Sequence, residues 1–185
     1  MTYPAIAIEG LEKRFRKAWR SSHTVALRGV SLTVEGGEAF GFIGANGAGK
    51  TTTIKILMGL IEPTKGSARL FGTPAALPSA RLGLGYVPEN PYLYDYLTPM
   101  EVLLMGLRLH RVKAAAPEAH CMAWLERLGL AHAARKTIRS FSKGMTQRVA
   151  IAQAMCINPR LLILDEPLSG LDPLGRRDVV DLLSE

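Results

Sequence analysis

Two groups of residues in this 185-residue sequence have the types and spacing for phosphate chemistry. The first is Gly44-Ala45-Asn46-Gly47-Ala48-Gly49-Lys50-Thr51, which has the phosphate-loop pattern and lies between a strand-like run at 38–43 and a helical stretch at 52–60. Glycines let backbone N–H groups close around phosphate oxygens, and a helix N-terminus adds partial positive charge. Lys50 is then placed to bridge the outer phosphates and Thr51 to offer its hydroxyl to magnesium. The second group is Leu161-Leu162-Ile163-Leu164-Asp165-Glu166, a buried-strand pattern ending in two carboxylates that alternation sends to opposite sides. Asp165 suits a magnesium shell, and Glu166 suits orienting and deprotonating an attacking water, a role worth ~10²–10⁴-fold in rate. Acids merely capping a strand end would be the better reading of that pair alone; after a phosphate loop it recedes.

The elements that must hold these residues follow from hydrophobic pattern and turn chemistry. Short β-branched or apolar runs predict strands at 5–9, 30–34, 38–43, 67–71, 84–87 and 161–164. Turns at Gly36-Gly37 and at 63–66 imply antiparallel pairing in the N-terminal portion beside a buried parallel sheet. Thr98-Pro99-Met100-Glu101 is a capping box with proline at the first helical position, and Asp172-Pro173 repeats the cap-then-proline order. From about 91 to 155 the pattern is helical, including a helix at 117–128 stopped by Gly129. The expected organisation is an α/β core at 1–90 and 156–185 with a helical subdomain inserted at 91–155. Ala114-Ala115-Ala116-Pro117 is the one short linker candidate.

Composition bounds the alternatives. With 48% hydrophobic and 21% charged residues the chain can bury one sizeable core, which excludes disorder, collagen and coiled coil. The net charge of +7 permits an anionic partner without choosing one. Lys13, Arg14, Arg16, Lys17 and Arg20 form one basic group, and Arg127 to Arg148 holds six basic residues and no acid, which reads as a solvated helix face or as a surface for headgroups or nucleotide. Cys121 and Cys156 lack metal or disulfide spacing and read as reduced core residues. His23, His110, His120 and His132 show no ligand spacing. No apolar run approaches the ~20 residues of a membrane span, so any membrane role is peripheral.

Four ordered motifs, the phosphate loop, Ser142-Lys143-Gly144-Met145-Thr146-Gln147-Arg148, Leu164-Asp165-Glu166-Pro167 and Ser169-Gly170-Leu171-Asp172, together resemble the ATP-binding subunit of ABC transporters. The Lys143-Gly144-Met145 variant and Tyr86-Val87-Pro88-Glu89-Asn90 are similar to exporter-type bacterial subunits. The resemblance implies an α/β P-loop NTPase fold of the ABC ATPase type: a mixed sheet core, an N-terminal antiparallel β subdomain and an inserted α-helical subdomain, with the last strands missing. It implies ATP and Mg2+ as ligands, with Gly44, Ala45, Asn46, Gly47, Ala48, Gly49, Lys50, Thr51 and Thr52 on the phosphates. Glu166 is the implied catalytic base, and Thr51, Glu89 and Asp165 the metal ligands. Phe15 is the implied adenine-stacking aromatic, with Trp19 competing and a core role for Phe15 as the alternative. Ser142, Lys143, Gly144 and Met145 form the signature loop that caps the γ-phosphate held by a second subunit. Ser169, Gly170, Leu171 and Asp172 form the D-loop.

The implied partners are a second copy or a homologous subunit, docked head to tail, and a transmembrane permease, with no nucleic acid. The implied place is the cytoplasmic face of the plasma membrane. Tyr92, Tyr94 and Tyr96 lie where the family docks that permease, and half-buried packing explains them equally well. The sequence also departs from the family. Phe141, Lys143 and Met145 replace the leucine, first glycine and glutamine of Leu-Ser-Gly-Gly-Gln, and Glu89 stands where a glutamine is usual. The family's histidine on a strand after Asp165-Glu166 has no counterpart before Glu185. Loss of that strand is expected to leave 38–43 and 161–164 without a ladder partner. Two other readings follow: a nucleotide-binding fragment without turnover, and an ABC ATPase that serves something other than transport.

Overall fold

Alternating apolar residues build the N-terminal sheet. In the structure, a computed structural model that describes residues 3–16 and 23–184, strand β1 (Ile6–Arg16) buries Ile6, Ile8 and Leu11. The spacing from Ile8 to Leu11 is one residue too long for strict alternation, and the ladder with β2 (His23–Val34) slips there. Gly10 takes up the extra residue at φ 56°, and its amide donates to Ser31 Oγ at 2.8 Å. The bulge keeps Leu11 on the core face. Helix α1 (Lys50–Leu57) follows, then β3 (Lys65–Leu70) and β4 (Thr73–Pro74), giving an antiparallel sheet in the order β2-β1-β3-β4. Ile54, Ile56 and Leu57 of α1 are buried, and the helix packs on β2 and β3. Trp19, Lys17 and Arg20 lie outside the described residues.

One predicted strand is not formed. Residues 38–43 join no ladder among the described residues, and Phe40, Phe42 and Ile43 are exposed, Ile43 to 91%. Strand propensity is satisfied only when a neighbouring strand takes up the backbone groups. The expectation that 161–164 would also lack a partner is corrected: this segment is paired, as follows.

The chain divides into two compact units, Met1–Leu82 and Gly83–Glu185. In the second, β5 (Leu84–Val87) and β6 (Leu161–Leu164) pair in parallel, Leu84 opposite Leu161 and Val87 opposite Leu164. Around them stand α2 (Pro99–Leu109), α3 (Pro117–Arg127), α4 (Lys143–Cys156) and α5 (Pro173–Ser184). Residues 149–152 of α4 are all buried, so this helix runs through the core shared with Leu103, Leu107, Leu125 and Val179. Cys121 and Cys156 are buried free thiols there, and burial followed by the neighbouring Cys121 pushes the Cys156 pKa up to about 12. His120 Nε2 donates to the Cys156 carbonyl at 2.7 Å, and His110 Nδ1 accepts from the Gly83 amide at 3.3 Å, so both histidines have structural partners. Among the described residues no helix is long and apolar enough to cross a membrane.

The capping box forms as read. Thr98 Oγ1 accepts the Glu101 amide at 3.3 Å, and the Glu101 carboxylate accepts from the Thr98 amide and hydroxyl, each at 2.8 Å. The Thr98 amide, then its hydroxyl, hold the Glu101 pKa below the ordinary carboxylate value. A depressed carboxylate stabilises above its unfolded pKa and loses that contribution as pH falls through the folded one. Thr98→Ala, which removes the N-cap acceptor, is expected to cost about 1 kcal/mol in urea unfolding near neutral pH. The difference from wild type should shrink when the titrations are repeated below the carboxylate range.

Candidate functional site

Backbone amides without acceptors mark the start of α1. Gly47 and Gly49 adopt φ 81° and 99°, and Gly49 is the N-cap without a side-chain capping bond. Ala48 donates to the Ala45 carbonyl at 3.0 Å and Thr53 to Gly49 at 2.9 Å. Among the described residues, the amides of Gly47, Gly49, Lys50, Thr51 and Thr52 donate to no protein acceptor. Such a run of orphan donors at a helix N-terminus is an anion cradle. Lys50 Nζ donates to the carbonyls of Gly44 and Ala45 at 2.6 and 3.2 Å, which draws its charge back over the same loop. Thr51 is exposed beside it and Thr52 half-buried, whereas Thr53 is buried with its hydroxyl donating to the Gly49 carbonyl at 3.1 Å. A Cβ at Gly49 would stand 2.5 Å from Leu27 Cδ2 and 2.8 Å from the Ala26 carbonyl oxygen, so the sheet itself requires glycine.

In the C-terminal unit the parallel pair sets a second group of polar residues. The Asp165 amide donates to the Val87 carbonyl at 2.9 Å, extending the ladder by one step. Glu89 and Glu166 then follow β5 and β6 at the same end, where open α/β sheets bind ligands. Asp165 is buried and its charge contributes, after burial, to raising the Tyr86 pKa, while Glu89 and Glu166 are exposed. Glu166 has φ 50°, a left-handed conformation that costs a non-glycine residue about 1–3 kcal/mol and that its surroundings must hold. Its carbonyl accepts the Ser169 amide at 3.0 Å. Glu166, Pro167, Leu168, Ser169 and Arg176 line an open depression.

The N-terminus of α4 packs on the loop after Glu166. Ser142 is its N-cap, with Oγ accepting the Met145 amide at 3.2 Å, which leaves the hydroxyl proton and the Lys143 and Gly144 amides for another acceptor. A Cβ at Gly144 would lie 3.2 Å from the Gly170 carbonyl oxygen, and one at Gly170 would meet the Lys143 stem at 2.8 Å. Gln147 Nε2 donates to the Pro167 carbonyl at 3.0 Å, and Arg148 pairs with Asp172 at 3.6 Å. Asp172 also accepts the Gly175 amide at 3.3 Å, the cap expected of Asp172-Pro173.

The family model described as "ABC transporter" matches residues 27–169. The chain belongs to the ABC transporter family. An uncharacterised ABC transporter ATP-binding protein of Nostoc sp. is 44% identical, over 95% of this chain and 53% of its own length. The bacitracin transport ATP-binding protein of Bacillus licheniformis is 40% identical, over 83% of this chain and 50% of its length. A solved dimeric ATP-binding cassette in a post-hydrolysis state, bound to ADP and Pi, is 25% identical with a TM-score of 0.87, covering 96% of this chain and 81% of that one. This chain spans about half the length of the curated relatives it matches.

Within the ABC transporter fold the expected residues are divided between the two units. The phosphate-loop residues belong to the N-terminal unit, and the carboxylates and the residues expected as signature loop (142–145) and D-loop (169–172) to the C-terminal one. Phe15, on β1 opposite Thr24, is 41% exposed and carries the Lys13 ammonium 5.1 Å from its ring centroid. Tyr92, Tyr94 and Tyr96 are all exposed, with the last two rings 5.7 Å apart, so they are not half-buried. Phe141 and Met145 pack against the helical core, the physical reason two signature positions are apolar here. Sequence reasoning did not single out Gln147: between Thr146 and Arg148, and with a second glutamine at Gln153 on the same helix, its neighbours do not mark it as buried.

Because Gly49 combines a left-handed φ with two contacts no Cβ can satisfy, Gly49→Ala should destabilise the protein by roughly 1–3 kcal/mol. Thermal unfolding checks this, and Gly47→Ala, with nothing within 4 Å of its Cβ position, should cost less.

Proposed function

We propose that this chain is the ATP-binding and ATP-hydrolysing subunit of a membrane transporter, and that it energises a separate membrane-spanning partner. The observation that carries the reading is the set of amides of Gly47, Gly49, Lys50, Thr51 and Thr52, which have no protein acceptor among the described residues, around a retracted Lys50. Triphosphate oxygens are the acceptors those donors fit. The order of the four motifs and the likeness to a bacitracin transport ATP-binding protein support transport as the use of that site.

Each side chain then has a distinct task. The loop amides and Lys50 bind the β- and γ-phosphates and hold them in register, and Phe15 stacks on adenine. Thr51, Glu89 and Asp165 would supply the hard oxygen ligands that magnesium takes. When bound, that ion neutralises charge on the phosphate oxygens. Glu166, exposed at the end of β6, orients a water and accepts its proton as the water attacks the γ-phosphorus and ADP leaves. Ser142, through its hydroxyl proton, and the Gly144 amide complete the γ-phosphate shell of a second copy, so two copies pair head to tail. Lys143 adds positive charge to that corner. The D-loop, Ser169 to Asp172, lies against it. The exposed Tyr92, Tyr94 and Tyr96 form the docking surface for the membrane partner, which places the subunit at the cytoplasmic face of the membrane. Glu89, a carboxylate in place of the usual amide, would preserve or tighten the metal contact while adding charge that must be balanced, and so alter the magnesium dependence.

The test uses the full-length protein. Glu166→Gln should lower ATP turnover ~10²–10⁴-fold while ATP and magnesium now hold a dimer through gel filtration. A variant that stays monomeric and turns over ATP at the wild-type rate would contradict the mechanism.

A further inference from the structure

We infer that Gln147 is a positioning residue for Glu166, acting through the Pro167 carbonyl. This rests on the assignment of Glu166 as the general base. Gln147 is 0% exposed, in the second turn of α4, and its Nε2 donates to the Pro167 oxygen at 3.0 Å. Its Oε1 has no partner among the described residues. A buried amide with one end unsatisfied is a cost that an apolar side chain of the same length would avoid. What the apolar chain could not supply is the bond to Pro167. That bond sits one residue beyond Glu166, whose left-handed φ of 50° must be maintained by its neighbours. On one side the Asp165 amide is anchored to Val87 on β5; on the other the Ser169 amide closes onto the Glu166 carbonyl. Gln147 adds the third restraint and ties the turn to α4, whose residues 149–152 are all buried. The carboxylate is thereby aimed by backbone geometry rather than by a bond to its own oxygens. Without the restraint the turn can relax toward ordinary φ values and swing Glu166 off its line of attack.

The consequence is kinetic. Displacement of a reacting group by about 1 Å can cost up to ~10²-fold in rate. In the full-length protein, Gln147→Met, which keeps the volume and removes the donor, should lower kcat for ATP about tenfold or more. KM for ATP and nucleotide-binding stoichiometry should stay within about twofold, because the phosphate loop is untouched. In a cycle with Glu166→Gln, the double variant should be no slower than Glu166→Gln alone, since Gln147 acts only through that side chain. Gln147→Glu gives an independent readout. Ionised, the carboxylate cannot donate to Pro167; protonated, it can. Burial raises its pKa, so its kcat relative to wild type should recover as pH falls from about 9 to about 6. The inference is overturned if Gln147→Met keeps wild-type kcat while Glu166→Gln does not. It is equally overturned if the two losses add in full, or if kcat and nucleotide stoichiometry fall together. Should Gln147→Met fail to fold, a flat pH ratio for Gln147→Glu overturns it. If Glu166→Gln itself hydrolyses ATP normally, the assignment of the base fails first.

Discussion

Unsatisfied backbone donors at one helix terminus are the constraint on which this molecule depends. An α-helix always begins with N–H groups that lack intrahelical acceptors, and most helices cover them with a capping side chain. Here α2 does so through Thr98 and Glu101, whereas α1 begins at a glycine that has nothing to offer. An open start of this kind is what the proposed phosphate binding requires. Gly49 cannot be exchanged for a capping residue, because Leu27 and the Ala26 carbonyl occupy the space a Cβ would need. The antiparallel sheet thus enforces the open cap.

The C-terminal unit solves a different problem, holding carboxylates at the end of a two-stranded parallel ladder. A bare strand end would leave Glu166 free to move. The loop that follows is instead laid along the first turns of α4, with Lys143 against Gly170, Gln147 on Pro167 and Arg148 on Asp172. The helix whose N-terminus carries Ser142 therefore also fixes the turn that carries the proposed base. Ser142 capping and Ser142 phosphate binding are compatible, since the oxygen accepts within the chain while the proton remains available.

Elements with local signals were legible in the sequence. The Thr98 capping box, proline at the starts of α2, α3 and α5, and the apolar run of β6 are each specified by residues within a few positions. The phosphate loop belongs to the same class, since spacing alone placed glycine at the positive-φ positions. Residues 38–43 show where local reading fails: their alternation is strand-like, yet a strand exists only with a ladder neighbour, and none is supplied among the described residues. The site was legible as motifs but not as contacts. Gln147 reads as an ordinary helix residue until its twenty-residue reach to Pro167 is seen. The apolar Phe141 and Met145 read as defects in a motif until both are seen to pack on the core.

The central claim, that the amides at the start of α1 are the ligands for triphosphate, is tested most directly by amide-resolved NMR with hydrogen exchange on the full-length protein. Titration with ATP and magnesium should shift the resonances of Gly47, Gly49, Lys50, Thr51 and Thr52 together and slow their exchange, while the Glu101 amide, already capped, stays where it is. Saturating nucleotide that perturbs other regions and leaves these five amides unshifted and unprotected would contradict the account.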